Sequence, residues 1–173
     1  MRRLLVATAL CLGMASQALL ACGDKFFLVG RGDRFSRAYA TLHPGRILIY
    51  TGGTTTVSKG LRDARLHRFI SRAGHHVEIA ADRAELDRAL KSGPVDLVVA
   101  SFGQAIEVMA DVGAAPSSPV LLPIEGDGAD APSAARPPFD TRLKSSDKVN
   151  RFLARIEELM RTRPAASSRR ARS

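Results

Sequence analysis

The chain has 173 residues, which is enough for one domain with a hydrophobic core. It has no Trp and only 5% aromatic residues, which excludes an aromatic-rich core and leaves Leu, Ile, Val and Ala to build it. The formal net charge of +9 favours anionic partners but says nothing about the fold.

The first 21 residues have the pattern of a bacterial export signal. Two arginines precede an apolar run over residues 4–15, and small residues follow. A membrane-spanning helix needs about 20 apolar residues, and Ser16 interrupts the run too early for that. We therefore expect residues 1–21 to be a signal peptide and the protein to be exported.

Cys22 stands at the end of this signal. Leu19-Leu20-Ala21 before it looks like a bacterial lipobox, in which the cysteine is lipidated and becomes the first residue. Cleavage after Ala18 or Ala21 without lipidation is the alternative. The protein is then either periplasmic or anchored by lipid in the cell envelope. Cys11 would leave with the signal, so the remaining chain would have one thiol and no internal disulfide.

Strand and helix patterns alternate from residue 46 onwards. Short apolar runs rich in β-branched residues predict buried strands, and 3.6-residue apolar spacing predicts helices. The predicted strands are residues 46–50, 75–80, 95–101, 119–124 and 140–144. The predicted helices are residues 57–73, 82–91, 104–112 and a last one capped by Ser146 or Asp147.

This alternation predicts an α/β fold with one doubly wound, five-stranded parallel sheet over residues 46–163. Residues 125–138 are rich in Gly, Ala, Asp and Pro, so we expect a loop in place of the fourth helix.

Segments of different character flank this domain. Residues 22–45 are expected to be an N-terminal extension packed against an edge of the domain, and Phe26–Val29 could add a short strand. Residues 164–173 are rich in arginine and small residues, and we expect a disordered basic tail. This tail suits contact with envelope lipid or another polyanion, and export argues against nucleic acid.

Ser101 closes the apolar run of the third predicted strand. Ligands bind at the carboxyl ends of strands in open parallel sheets. Right-handed crossovers bring the ends of the first and third strands together. We therefore expect Thr51, Gly52 and Ser101 to share one crevice.

The segments in this order resemble a response-regulator receiver domain. Arg46–Tyr50 looks like the first strand of that family, and Arg72–Asp82 looks like its first-helix exit and second strand. Pro94–Ala100 looks like its third strand. Lys144, followed by Phe152–Ile156, looks like its last strand and helix.

The resemblance implies a receiver whose phosphorylation site is lost. Active receivers use an aspartate as phospho-acceptor, an acidic pair for Mg²⁺, a hydroxyl residue and a lysine. Here the acceptor position is Ser101, the acidic pair is Thr51 and Gly52, and the hydroxyl position falls near Ile124. Lys144 is kept at the lysine position, but without an acidic residue nearby a solvated loop lysine is the favoured reading of it.

These replacements oppose phosphotransfer. Mg²⁺ is usually held by carboxylates, and a serine hydroxyl is a poor nucleophile without an activating base. The resemblance therefore implies a pseudo-receiver that is not an enzyme and has no cofactor. We expect a signalling or protein-interaction module with an unidentified protein partner.

The loop after the first strand supports an alternative reading. It resembles a flavodoxin phosphate loop, whose backbone N–H groups bind phosphate at a helix start. The chain could then bind FMN or another phosphate ligand through Gly52, Gly53, Thr54, Thr55 and Thr56. No aromatic-rich loop follows Ser101 to sandwich a flavin. His75 and His76 are adjacent on a strand and point to opposite faces, so we predict no metal site.

Overall fold

The computed structural model describes residues 41–126, 139 and 142–163. The predicted signal peptide, Cys22, the Phe26–Val29 strand, residues 127–138 of the predicted loop and the basic tail lie outside these described residues. Within the described part, no helix has the length and apolar character needed to cross a membrane.

Five strands form one sheet in which every neighbouring pair is parallel. Its strands are β1 (Arg46–Tyr50), β2 (His76–Ala80), β3 (Leu97–Ser101), β4 (Val120–Glu125) and β5 (Leu143–Lys144). The order across the sheet is β2-β1-β3-β4-β5, which is the doubly wound order of flavodoxin-like folds. The predicted fold class is confirmed.

Five helices are present in the described part of the chain: α1 (Thr56–Leu61), α2 (Ala64–Arg72), α3 (Arg83–Ser92), α4 (Phe102–Ala114) and α5 (Val149–Thr162). The prediction of one helix over residues 57–73 was wrong, because the helix is interrupted between α1 and α2. Asp63 has an extended backbone there, and its carboxylate accepts a hydrogen bond from the backbone N–H of Arg65 at 2.8 Å. An aspartate that caps a new helix in this way competes with continuation of the old one.

The start of α5 also differs from the prediction. Lys148 is its N-cap and makes no side-chain cap bond, so neither Ser146 nor Asp147 caps this helix. The Asp147 carboxylate instead accepts a hydrogen bond from the backbone N–H of Lys144 at 2.9 Å, and it pairs with Arg151 at 2.9 Å. Asp147 therefore closes the turn between β5 and α5.

The sheet separates two hydrophobic cores. Successive β1 side chains alternate between them, with Ile47 and Ile49 on one side and Leu48 and Tyr50 on the other. The first core lies under α1, α2 and α5, and the second lies under α3 and α4. Phe152 of α5 is fully buried in the first core, and burying such a side chain stabilises the fold by about 1.5–3 kcal/mol.

The described part of the N-terminal extension, Thr41–Gly45, runs along the amino ends of the strands, and we call it the N-terminal strap. The Thr41 hydroxyl donates to the Glu157 carboxylate, and His43 Nδ1 lies 2.6 Å from the same group. Burial raises the pKa of Glu157, but the hydrogen bonds from Thr41 and His43, the charge of His43 and a backbone hydrogen bond from Leu42 together hold the pKa below its ordinary value. The strap is thereby tied to α5.

His75 supports the other end of the strap. The Gly45 N–H donates to His75 Nδ1 at 3.3 Å, and the His75 side chain is buried. Burial lowers the pKa of His75, and the nearby negative charge of Glu157 offsets only part of that shift. The ring is therefore held neutral, with Nδ1 as the acceptor.

Candidate functional site

The carboxyl ends of β1 and β3 lie side by side, and the loop after β1 fills the space beside Ser101. Thr51 and Gly52 are buried, and residues 53–56 are exposed. The Thr51 hydroxyl donates to the Ala80 carbonyl at 3.4 Å, and the Thr51 N–H donates to the same oxygen at 2.8 Å. Thr51 therefore anchors the loop to β2.

Both glycines of this loop are required by close contacts. A Cβ at Gly52 would stand 2.6 Å from the Tyr50 hydroxyl oxygen. Gly53 has φ +79°, a left-handed conformation that favours glycine. A Cβ at Gly53 would also stand 2.8 Å from Gln104 Nε2. The loop can pass this close to Tyr50 and Gln104 only without side chains at these two positions.

Arg62, at the end of α1, holds the loop by hydrogen bonds to its backbone. Its Nη2 donates to the Thr51 carbonyl at 2.5 Å and to the Gly53 carbonyl at 2.9 Å. Arg62 is the C-cap of α1, so the break before α2 lets its side chain reach back to the loop. Sequence reasoning missed this role, because it treated residues 57–73 as one helix.

Four polar side chains join the loop to the end of β3, and we call them the crevice network: Thr55, Ser58, Ser101 and Gln104. Ser101 Oγ donates to Gln104 Oε1 at 2.9 Å, and Ser58 Oγ donates to the same oxygen at 3.2 Å. The Thr55 hydroxyl donates to Ser58 Oγ at 3.0 Å and also caps α1 by accepting from the Ser58 N–H. The exposed fractions of Ser58, Ser101 and Gln104 are 0%, 4% and 8%.

The crevice network gives Ser101 a partner that cannot activate it. An amide oxygen accepts the hydroxyl proton in a hydrogen bond but does not act as a general base. Among the described residues, no group of three or more His, Cys, Asp or Glu side chains is placed to hold a metal. Gln104 was also missed from the sequence, although it stands one helical turn after Ser101 at the start of α4.

Lys144 lies at a second place on the same edge, beyond β4. Glu125 at the end of β4 is in register with Lys144, and Ser101 is in register with Ile124. Ile124 is a fully buried core residue, so the position expected for a hydroxyl is apolar. Lys144 is exposed and is separated from the crevice network by β4.

A cleft of about 500 Å³ opens beside Lys144. It is lined by Glu125, Arg142, Lys144, Asp147 and Arg151. Arg142 pairs with Glu125 at 2.6 Å, and Arg151 pairs with Asp147 at 2.9 Å. Each carboxylate in the cleft is therefore already paired with an arginine.

The outer face of α4 carries two exposed apolar side chains. Ile106 is 46% exposed and Met109 is 43% exposed. They lie three residues apart and therefore on neighbouring turns of one helix face. Phe102 at the start of the same helix packs edge-to-face on Phe139, with ring centroids 5.8 Å apart.

No protein-family model, curated protein or solved structure matches the chain.

Proposed function

We propose that this chain is a non-catalytic, receiver-like module that contacts a protein partner and does not accept a phosphoryl group. The hydrogen bond from Ser101 Oγ to Gln104 Oε1 at 2.9 Å is the observation that carries the proposal. Ser101 stands where the resemblance places the phospho-acceptor, and its proton is directed at an amide. Its hydroxyl is also nearly inaccessible to a phosphoryl donor, since the residue is 4% exposed.

The side chains at the acidic-pair positions support the same proposal. Thr51 and Gly52 offer no carboxylate, and the Thr51 hydroxyl is bonded to β2. A divalent cation at this position would lack the charged oxygen ligands that it normally needs. Of the side chains at the receiver's phosphorylation-site positions, only Lys144 could pair with a phosphate, and it lies on the far side of β4.

The exposed face of α4 supports the proposed contact with a protein partner. Exposed apolar side chains that neighbour each other are typical of protein interaction surfaces. Ile106 and Met109 are two such side chains on successive turns. We infer that a protein partner covers this face.

Thermal unfolding of the full chain with and without Mg²⁺ and beryllofluoride tests whether the chain can accept a phosphoryl group. Beryllofluoride mimics the acyl phosphate of active receivers, and a ligand that binds only the folded state raises the midpoint. At 100 times its Kd such a ligand would stabilise the fold by about 2.7 kcal/mol. We expect no shift. A clear rise that is lost in Lys144→Ala would overturn the proposal.

The same assay with FMN or inorganic phosphate tests the alternative of a phosphate-ligand binder. A rise in the unfolding midpoint without Mg²⁺ would favour binding at the loop of residues 52–56 over a pure interaction module. We expect neither ligand to raise the midpoint, because the Thr55 hydroxyl already accepts from the Ser58 N–H, one of the donors that a phosphate at the start of α1 would need.

Comparative capture from cell extract tests whether the exposed face of α4 contacts a protein partner. The unmodified chain is compared with I106S/M109S and with the matched surface variant R65S/R68S on α2. A protein retained by the unmodified chain and by R65S/R68S but lost with I106S/M109S would identify α4 as the contact surface. Equal capture by all three chains would refute a role for α4.

A further inference from the structure

The outer side of β2 is an open edge of the sheet, as far as the described residues show. The His76 N–H donates to the Gly45 carbonyl, and the Ala80 carbonyl accepts from the Thr51 N–H. These groups face β1. Because backbone groups alternate in direction along a parallel strand, those of Val77 and Ile79 face outward.

This edge has little of the usual protection within the strand, since the exposed Glu78 is its one carboxylate. β2 contains no proline, and all five of its residues pair with β1 without a bulge. Ile79 is 45% exposed, and Val77 is half-buried. An apolar edge strand with outward N–H and C=O groups is a template for another strand.

The described chain begins beside this edge. The Thr41 N–H donates to the Ala73 carbonyl at 2.7 Å, and a Cβ at Gly74 would stand 3.0 Å from Thr41 Cγ2. Ala73 and Gly74 lie directly before β2 in the chain. Thr41, to which the preceding residues are joined, therefore lies next to the start of β2.

The preceding segment has the length to cover the edge. Residues 30–40 reach about 36 Å when fully extended, whereas β2 is about 17 Å long. Residues 26–29 can thus reach every position along β2, in either direction. Phe26-Phe27-Leu28-Val29 is the one run of four large apolar residues in the sequence from 22 to 40, and its composition is typical of strands.

We propose that Phe26–Val29 pairs with the outer edge of β2 as a sixth strand. In an antiparallel pairing, two residues of the segment, two positions apart, would bond the outward N–H and C=O groups of Val77 and Ile79. Its apolar side chains would cover the exposed part of Ile79. A second copy of the chain is the weaker candidate, because a segment tethered by a short linker has an effective concentration in the millimolar range.

Amide hydrogen exchange of the full chain, followed residue by residue by NMR, tests this pairing. We expect the Val77 and Ile79 amides to exchange at least about tenfold more slowly than their unstructured rates. Leu28→Pro breaks the proposed strand and should return both amides to the unprotected rate. The matched variant Ser36→Pro should leave their protection unchanged. Protection of the central β3 amides should persist in both variants and shows that the domain stays folded.

Three results would overturn the proposal. Val77 and Ile79 amides that exchange without protection in the unmodified chain would mean that the edge is open. Protection that survives Leu28→Pro would assign the edge to another occupant. Protection that disappears on dilution of the protein would assign it to a second copy.

Discussion

Gln104 holds together three parts of the molecule, and replacing it should expose how strongly the crevice network stabilises the fold. Gln104→Met keeps the length of the side chain and removes the acceptor. Ser58 Oγ and Ser101 Oγ, which both donate to Gln104 Oε1, would then be buried donors without that acceptor.

The magnitude follows from the burial of these two serines. A buried polar group that loses its partner costs about 1–3 kcal/mol. Ser58 cannot use Thr55 as its acceptor without losing the bond it already receives, because Thr55 donates to Ser58 Oγ. We therefore expect Gln104→Met to lower the free energy of unfolding by about 2–4 kcal/mol, allowing for hydroxyl rotation.

Urea unfolding at equilibrium measures this change, provided that the slope with denaturant stays the same. The triple variant S58A/S101A/Q104M removes both donors together with the acceptor, and it should recover at least half of the loss. A loss below about 0.5 kcal/mol in Gln104→Met would refute the reasoning. So would a triple variant no more stable than Gln104→Met, because the cost would then come from packing.

Two further predictions concern the glycine loop and the strap. Gly53→Ala should destabilise the fold by about 1–2 kcal/mol in the same urea assay, because the new Cβ meets both a left-handed backbone and Gln104. Gly103→Ala, on an open face of α4 with nothing within 4 Å, should be neutral or stabilising by up to about 1 kcal/mol, and an equal loss in both variants would contradict this explanation. Burial lowers the pKa of His75 below its ordinary 6.5, so the unfolded chain binds the proton more readily and the free energy of unfolding should fall as pH drops through 6.5. His75→Asn retains an acceptor for the Gly45 N–H and cannot titrate, and its urea midpoint should fall less between about pH 7.5 and pH 5.5; parallel pH profiles would show that His75 is not responsible.

The sheet could be predicted because each of its main strands is marked by a short run of neighbouring apolar residues. Val98, Val99 and their neighbours form an apolar run that only a strand buried on both faces explains well. The alternation of strands and helices then leaves few topologies. The break before α2 was missed because Leu61, Leu66 and Ile70 all face the core and were assigned to one helix face, although the five-residue step from Leu61 to Leu66 does not fit a continuous helix. The capping by Asp63 is decided by a single hydrogen bond.

The site was only partly predictable because its key contacts join distant residues. The neighbourhood of Thr51 and Ser101 follows from the strand order. The acceptor role of Gln104 depends on where α4 packs, and the clamp by Arg62 depends on where α1 ends. Neither side chain has a sequence motif that marks it as polar support for a loop.

The position of α5 at the end of the domain has a consequence for synthesis of the protein. Phe152 and Ile156 complete the first core, Glu157 holds the strap, and Arg163 donates to the carbonyls of Asp96 and Ser117. While the chain is still being translated, the first core is covered by α1 and α2 alone and stays partly open until the residues of α5 leave the ribosome. We therefore expect nascent chains that stop before residue 149 to be targets for chaperones and proteases, since their exposed apolar surface favours aggregation.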